Sequence, residues 1–162
     1  METWSISIES NWGFFRAGFT HDGLCALHWP TPAQSGDAVA VPAFVSAMAR
    51  TLQKELSYYI RGKAIQFTTP VVFLSGTEFQ RRVWEEMRLI RWGAAVSYGD
   101  MAKRVGSAGA TRAVGQACGR NPVPVVVPCH RVLAANGRLG GFSGGIDWKR
   151  RLLQLEGIPI IV

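Results

Sequence analysis

At 162 residues, 48% of them hydrophobic and 18% charged, the chain is long enough to bury a core as one large domain or two small ones, and it is too apolar to stay disordered. Its formal charge of +7 is one-sided: residues 1–75 carry five Lys or Arg against five Asp or Glu, and residues 76–162 carry 13 against six. A positive field confined to one half favours a polyanionic partner, nucleic acid or an anionic membrane surface.

The longest charge-free apolar stretch, residues 38–49, contains Pro42 and is too short to cross a bilayer, so no membrane partner is expected. Three cysteines cannot all pair within the chain, and Met1-Glu2-Thr3-Trp4 has neither the basic nor the apolar block of a secretion signal. Both points suggest a reducing, intracellular compartment.

Residues 4–29 read as three antiparallel strands. Trp4, Ile6 and Ile8 alternate with polar residues, 12–20 is aromatic-rich, His21-Asp22-Gly23 makes a turn, and Leu24 to Trp29 follows. Cys25, His28 and His21 are metal-ligand types, but in a strand Cys25 and His28 point to opposite faces and a fourth ligand is lacking, so no metal is assigned. A loop over 31–41 leads to a helix over 42–61, with Val45, Met48, Ala49, Leu52, Leu56, Tyr59 and Ile60 as its apolar stripe and Gly62 as its stop. Residues 65–72 read as a further strand or an extended linker, and Leu74-Ser75-Gly76 marks a boundary between domains 1–75 and 76–162.

Thr77-x-x-Gln80 is a capping box opening a helix with Phe79, Val83, Trp84, Met87 and Ile90 on one side. Ser97-x-x-Asp100 opens a short helix closing at Gly106, and residues 110–118 form another, closed by Gly119. Two short helices about a glycine-containing turn suggest a helix-turn-helix. The second helix offers Thr111, Arg112, Ala113 and Gly115, small residues around a single arginine. Such a surface suits close, sequence-tolerant approach in a narrow groove, or simply tight packing against another helix.

Asn121-Pro122-Val123-Pro124-Val125-Val126-Val127-Pro128-Cys129-His130-Arg131-Val132 reads as an extended, buried strut that ends in a thiol. Cys129 is either a small core hydrophobe or a nucleophile, and His130 can act as its base only if the chain turns at Pro128-Cys129. Ala135-Asn136-Gly137 is a turn. Residues 140–145 hold four glycines and form either a linker or a wall for a flat ligand. Asp147 is taken as the cap of the last helix, whose packed face is Trp148, Leu152 and Leu155. Glu156 falls in its final turn, against the negative end of the helix dipole.

Gly119-Arg120-Asn121-Pro122, Pro128-Cys129-His130-Arg131-Val132, the glycines from 140 to 145 and Leu152-Leu153-Gln154-Leu155-Glu156-Gly157 together closely resemble the O6-alkylguanine-DNA alkyltransferases. Those proteins move an alkyl group from O6 of guanine, or O4 of thymine, onto one of their own cysteines. The resemblance covers about half the chain strongly and the amino-terminal half more weakly. It implies an α+β fold: a small antiparallel-sheet, ribonuclease-H-like α/β domain, then a helical domain with a winged-helix-like helix-turn-helix.

By the same resemblance Cys129 is the acceptor, His130 its base through a water, Glu156 the residue that orients His130, Asn121 the tie to the active-site turn, and Tyr98 the donor to the leaving guanine. Arg112 fills the gap left by a flipped nucleotide, with Thr111, Ala113 and Gly115 in the minor groove. Pro124, Val132, Phe142 and Ser143 would line the base pocket, the Ser143 amide meeting O6 and the carbonyls of Cys129 and Val132 meeting the exocyclic amine. Phe142 stands where some relatives have tyrosine, and Cys118 where a methionine can occur. Some alkyltransferases carry a structural zinc near the amino terminus.

The implied partner is double-stranded DNA containing O6-alkylguanine. The protein would be a monomer without cofactor, acting once per molecule, cytoplasmic if bacterial or archaeal and nuclear if eukaryotic. Competing readings are a non-reactive lesion sensor, a sequence-specific helix-turn-helix regulator and a cysteine hydrolase. Cys129 argues against the first, the Cys129, His130 and Glu156 set against the second, and the third lacks a recognisable oxyanion arrangement.

Overall fold

The computed structural model describes residues 1–33, 39–140 and 145–161. It divides into two compact units, Met1–Leu74 and Ser75–Val162.

In the first unit, β1 (Trp4–Ser10), β2 (Gly13–Phe19) and β3 (Leu24–Thr31) form an antiparallel sheet in sequence order. The period-2 pattern sets its buried face: Phe15, Ala17 and Phe19 of β2 are buried with Ile8, Leu24 and Leu27. Helix α1 (Ala43–Ile60) contributes Val45, Ala49, Leu52, Leu56 and Tyr59, spaced by three and four residues along one stripe. Strand β3 runs to Thr31, two residues past the expected end.

Residues 65–72 form the extended linker rather than a strand. Their only bridge among the described residues joins Leu24 to Val71, through Leu24 N to Pro70 O and Val72 N to Leu24 O. What fastens this segment is Glu55. Its nearly buried carboxylate, on α1, accepts the backbone N–H of Thr68 at 2.7 Å and of Thr69 at 3.0 Å, and both threonine hydroxyls at 2.9 and 3.0 Å. Four donors on one carboxylate offset the cost of removing it from water.

The second unit begins with α2 (Glu78–Met87), whose capping box is complete: the Gln80 N–H donates to Thr77 Oγ1 and the Thr77 N–H to Gln80 Oε1. Helix α3 (Tyr98–Arg104) is capped by Ser97, and α4 (Thr111–Gly119) follows after a turn. The Trp84 indole N–H donates to Ala117 O at 2.7 Å, which locks α4 onto α2.

Two strands escaped the sequence reading. β4 (Val96–Ser97) pairs in parallel with β5 (Val132–Leu133) over two residues each, too short a run to show a period. That pairing sets the start of α3, and so Tyr98, beside the segment following Cys129.

Helix α5 (Ile146–Leu155) corrects two expectations. Its N-cap is Gly145, with no side-chain cap bond, and Asp147 sits in the first turn instead. Its buried face is Lys149, Leu152 and Leu153, while Trp148 and Leu155 are only half-buried. A buried lysine is hard to anticipate from pattern; here its ammonium finds polar partners inside. Among the described residues no helix is long and apolar enough to cross a membrane, and no three His, Cys, Asp or Glu side chains are grouped so as to hold a metal ion.

Replacing Glu55 by Ala strands two backbone donors and should lower the stability of the full chain by about 2–4 kcal/mol in urea unfolding. A loss below about 1 kcal/mol would mean that the 65–72 segment is held by something else.

Candidate functional site

The chain around Cys129 is a tight turn, not the extended strut that its prolines suggested. Asn121 organises it. Its Nδ2 donates to Val127 O at 2.8 Å, its Oδ1 accepts the Val123 N–H at 2.9 Å, and Val127 N donates to Val123 O at 2.9 Å. Closing the turn puts Val125 in the left-handed region at φ 73°, a conformation that β-branched residues avoid and that typically costs about 1–3 kcal/mol. Burial of Val123, Val125, Val126 and Val127 helps hold it there.

Beyond Pro128, residues Cys129–Arg131 wind into one turn of 3-10 helix. This is the change of direction that the Cys129 and His130 pairing required. The thiol is 3% exposed, and burial pushes its pKa up to about 11 despite hydrogen bonds from the Asn121 side chain and the Cys129 and His130 amides and the positive charge of Lys149. At neutral pH only about one molecule in 10⁴ carries a free thiolate at that value. All three cysteines, Cys25, Cys118 and Cys129, are free.

His130 is fully buried, and its Nε2 lies 2.8 Å from Glu156 Oε1. Glu156, the C-cap of α5, also accepts Arg131 Nε at 2.9 Å on Oε2 and Arg131 Nη2 at 2.8 Å on Oε1. A second arm of the guanidinium donates to the Ile90 carbonyl. Burial by itself would raise the Glu156 pKa, but the hydrogen bonds and charges of His130 and Arg131 outweigh it and hold the carboxyl at about 2. The ionised carboxylate can only accept, so Nε2 of His130 carries the hydrogen and Nδ1 presents the lone pair. Burial lowers the pKa of His130 against the pull of Glu156, so the ring is neutral and able to take a proton.

Arg131 lay inside the quoted motif without a role; only the fold brings its guanidinium to Glu156. Lys149 was missed altogether. It is fully buried, donates to Val132 O at 2.8 Å and to the Tyr98 hydroxyl at 3.3 Å, and lies 5.5 Å from the centre of the Tyr98 ring. Burial brings its pKa down to about 8, with the nearby thiols Cys118 and Cys129 opposing that shift. Tyr98 is pushed the other way, well above the ordinary phenol, first by burial and then by the same two thiols. Gly140, at φ 67°, passes so close to this ring that a Cβ there would sit 3.0 Å from Tyr98 Cε2.

Thr111 and Arg112 are exposed at the start of α4, Ala113 and Gly115 are half-buried on it, and a Cβ added at Gly115 would meet nothing within 4 Å. Pro124 is half-buried and Val132 buried. Phe142 and Ser143, expected in the pocket wall, lie outside the described residues.

A buried cysteine among hydrogen-bond donors and a neutral histidine fixed by an ionised glutamate lie in one unit with the α3–α4 helix pair, and that unit is of a DNA-binding class. The family model for the DNA-binding domain of 6-O-methylguanine DNA methyltransferase matches residues 78–158. The chain belongs to this O6-methylguanine DNA methyltransferase family. It is 43% identical over 125 residues to a methylated-DNA--protein-cysteine methyltransferase of Mycolicibacterium paratuberculosis, a span of 77% of this chain and 72% of that protein. The match to the Mycobacterium tuberculosis protein of the same name is 47% over 102 residues, 63% of this chain and 61% of that one.

The fold agrees with the crystal structure of Mycobacterium tuberculosis O6-methylguanine methyltransferase at a TM-score of 0.77 and 33% identity, over 96% of this chain and 93% of that one. The Mycobacterium tuberculosis OGT solved in complex with DNA gives 0.77 at 35% identity, over 94% and 92%.

Glu156 links this site to acid stability. Its carboxyl ordinarily titrates near 4.5 and in the fold near 2, so the stability it contributes is complete above pH 4.5 and is lost as pH falls toward 2. Glu156→Gln should therefore cost about 3–5 kcal/mol at pH 7, and the gap from the parent should narrow progressively as pH falls from 4.5 toward 2 in urea titrations. A gap of constant size over that range would show that the carboxylate is not held ionised.

Proposed function

We propose that this protein repairs DNA by transferring an alkyl group from O6 of guanine to Cys129, irreversibly and once per molecule. The observation that carries the reading is the ordered contact set around Cys129 and His130, in a unit that also presents the α3–α4 helix pair with Arg112 exposed at its surface. The membership of the family supports it.

A thiol held near pKa 11 does not wait as an anion, so its proton has to leave as the sulfur attacks. The lone pair on His130 Nδ1 is the acceptor, reached through one water, and Glu156 stabilises the imidazolium that forms. The new bond joins sulfur to the alkyl carbon, and the bond from that carbon to O6 breaks in line. Negative charge then develops on the departing guanine.

Tyr98 answers that charge. Its raised pKa keeps the hydroxyl protonated, and because Lys149 donates to the phenol oxygen, the hydroxyl hydrogen is left to point at a ring nitrogen of the base. Guanine leaves as an anion held by that hydrogen bond and takes a proton from water, the His130 imidazolium returns the thiol's proton to solvent, and the thioether remains. Nothing in this chemistry regenerates the thiol, since water does not displace a thiolate from the alkyl carbon of an unactivated thioether.

The partner is double-stranded DNA bearing O6-alkylguanine, bound by a monomer. A reacting carbon inside a stacked duplex requires the nucleotide to be flipped out. Arg112 fills the vacated stack while Thr111, Ala113 and Gly115 allow the backbone of α4 close to the minor groove. Pro124 and Val132 contribute to the base pocket together with Phe142 and Ser143. Val132 O already accepts from Lys149, so the exocyclic amine would use its second lone pair. A lesion sensor or a regulator would have no use for the thiol and its base.

Incubation with duplex DNA containing O6-methylguanine should add one methyl mass to the peptide carrying Cys129, with a plateau at one per protein and no transfer by Cys129→Ala. Guanine released beyond one equivalent would overturn the single-event mechanism. Arg112→Ala should slow repair of duplex DNA by about 10-fold or more and leave reaction with the free alkylated base nearly unchanged, as only the duplex needs a plug. Equal losses on both substrates would remove Arg112 from that role.

A further inference from the structure

The amino-terminal unit contains an open depression of about 400 Å³ whose walls include Glu2, Trp4, His21, Asp22 and Phe44. None of these residues takes part in alkyl transfer as derived above. Three rings converge on it at different angles. Trp4 and Phe44 stand edge to face, with centroids 5.5 Å apart and planes at 85°, and His21 tilts against Phe44 at 4.9 Å and 59°. Phe44, in the first turn of α1, stays 38% exposed, whereas Val45, Ala49, Leu52, Leu56 and Tyr59 of that helix are buried.

Edge to face is a favourable contact between aromatic rings, so Trp4 and Phe44 make a fixed aromatic wall for the depression. Aromatic faces carry the negative part of the ring quadrupole. Glu2 and Asp22 add two carboxylates to the same walls, and among the described residues no lysine or arginine lines the depression. Asp22 lies 3.3 Å from His21 Nδ1, with 71% of its side chain exposed to solvent and to any ligand.

An anion would be repelled by this arrangement. A bare metal ion would find too few converging oxygens, and no metal-holding group of side chains occurs among the described residues. What matches aromatic faces and carboxylates together is a cation with an apolar coat.

We propose that this depression is a binding site for a small alkylated ammonium ion, its methyl groups against Trp4 and Phe44 and its charge balanced by Asp22 and Glu2. The size agrees: 400 Å³ admits a trimethylammonium head with a short tail.

The test uses the full chain, labelled with nitrogen-15, titrated with choline chloride beside two controls, sodium chloride at equal concentration and 3,3-dimethyl-1-butanol, the uncharged isostere of choline. The expected result is saturable movement of the Trp4 indole signal and of the His21, Asp22 and Phe44 amides, with choline at least about 5-fold tighter than the isostere. Asp22→Asn and Phe44→Leu should each weaken choline about 3-fold or more, with the remaining spectrum and alkyl transfer to Cys129 unchanged. Asp22 is exposed, so its variant tests the proposal even if Phe44→Leu disturbs folding. Equal binding of choline and the isostere would reduce the site to an apolar dent, and the absence of saturable shifts would remove it altogether.

Discussion

The buried carboxylate of Glu156 is the constraint on which the carboxy-terminal unit depends. It sits at the end of α5, where the helix dipole disfavours it, and out of water, where desolvation disfavours it again. It is tolerated because Arg131 forks onto it and His130 completes its coordination. The same guanidinium reaches the Ile90 carbonyl just beyond α2, so one ionic cluster ties the end of α5, the turn after Cys129 and the end of α2 together. Buried ion groups of this kind add little net stability compared with a well-packed apolar core. Their return here is directional: an ionised Glu156 dictates which nitrogen of His130 holds the hydrogen.

Around that cluster the site keeps its charges apart until they are needed. Burial leaves Cys129 protonated, His130 neutral and Tyr98 protonated, while Lys149 supplies a positive charge beside the thiol and the phenol. A thiol in this state is protected from indiscriminate reaction, because the thiolate is the reactive form. Asn121 completes the arrangement from the other side. Its amide holds the turn closed with Val125 in an unfavourable backbone region, so the position of Cys129 rests on two side-chain hydrogen bonds and the packing of four valines.

The two units divide the physical work differently. The amino-terminal one is an ordinary amphipathic construction, three strands against one helix, with Glu55 replacing a strand pairing by four hydrogen bonds to consecutive threonines. The carboxy-terminal one carries the whole excess of positive charge, and its buried polar residues, His130, Arg131, Lys149 and Glu156, are all ionisable. A surface of small residues on α4 and a buried reactive cluster behind it are what close approach to a nucleic-acid backbone and chemistry on an extruded base require.

Much of this was legible in the residues alone. The strands of the first sheet, α1, the capping box of Thr77 and Gln80 and the Ser97 cap follow from periodicity and local hydrogen bonding, which act over a few residues and leave a pattern in the chain. Glu156 stood out as a carboxylate in the wrong place on a helix. The rest depended on tertiary contacts that leave no such pattern. The turn at Val125 exists because Asn121 reaches across it, against the extended preference of its own prolines. The buried face of α5 is rotated onto Lys149 because a carbonyl from β5 and the hydroxyl of Tyr98 wait for the ammonium. Residue types named Cys129 and His130 as chemistry; only the folded chain decided, through Arg131 and Glu156, which way the proton can move.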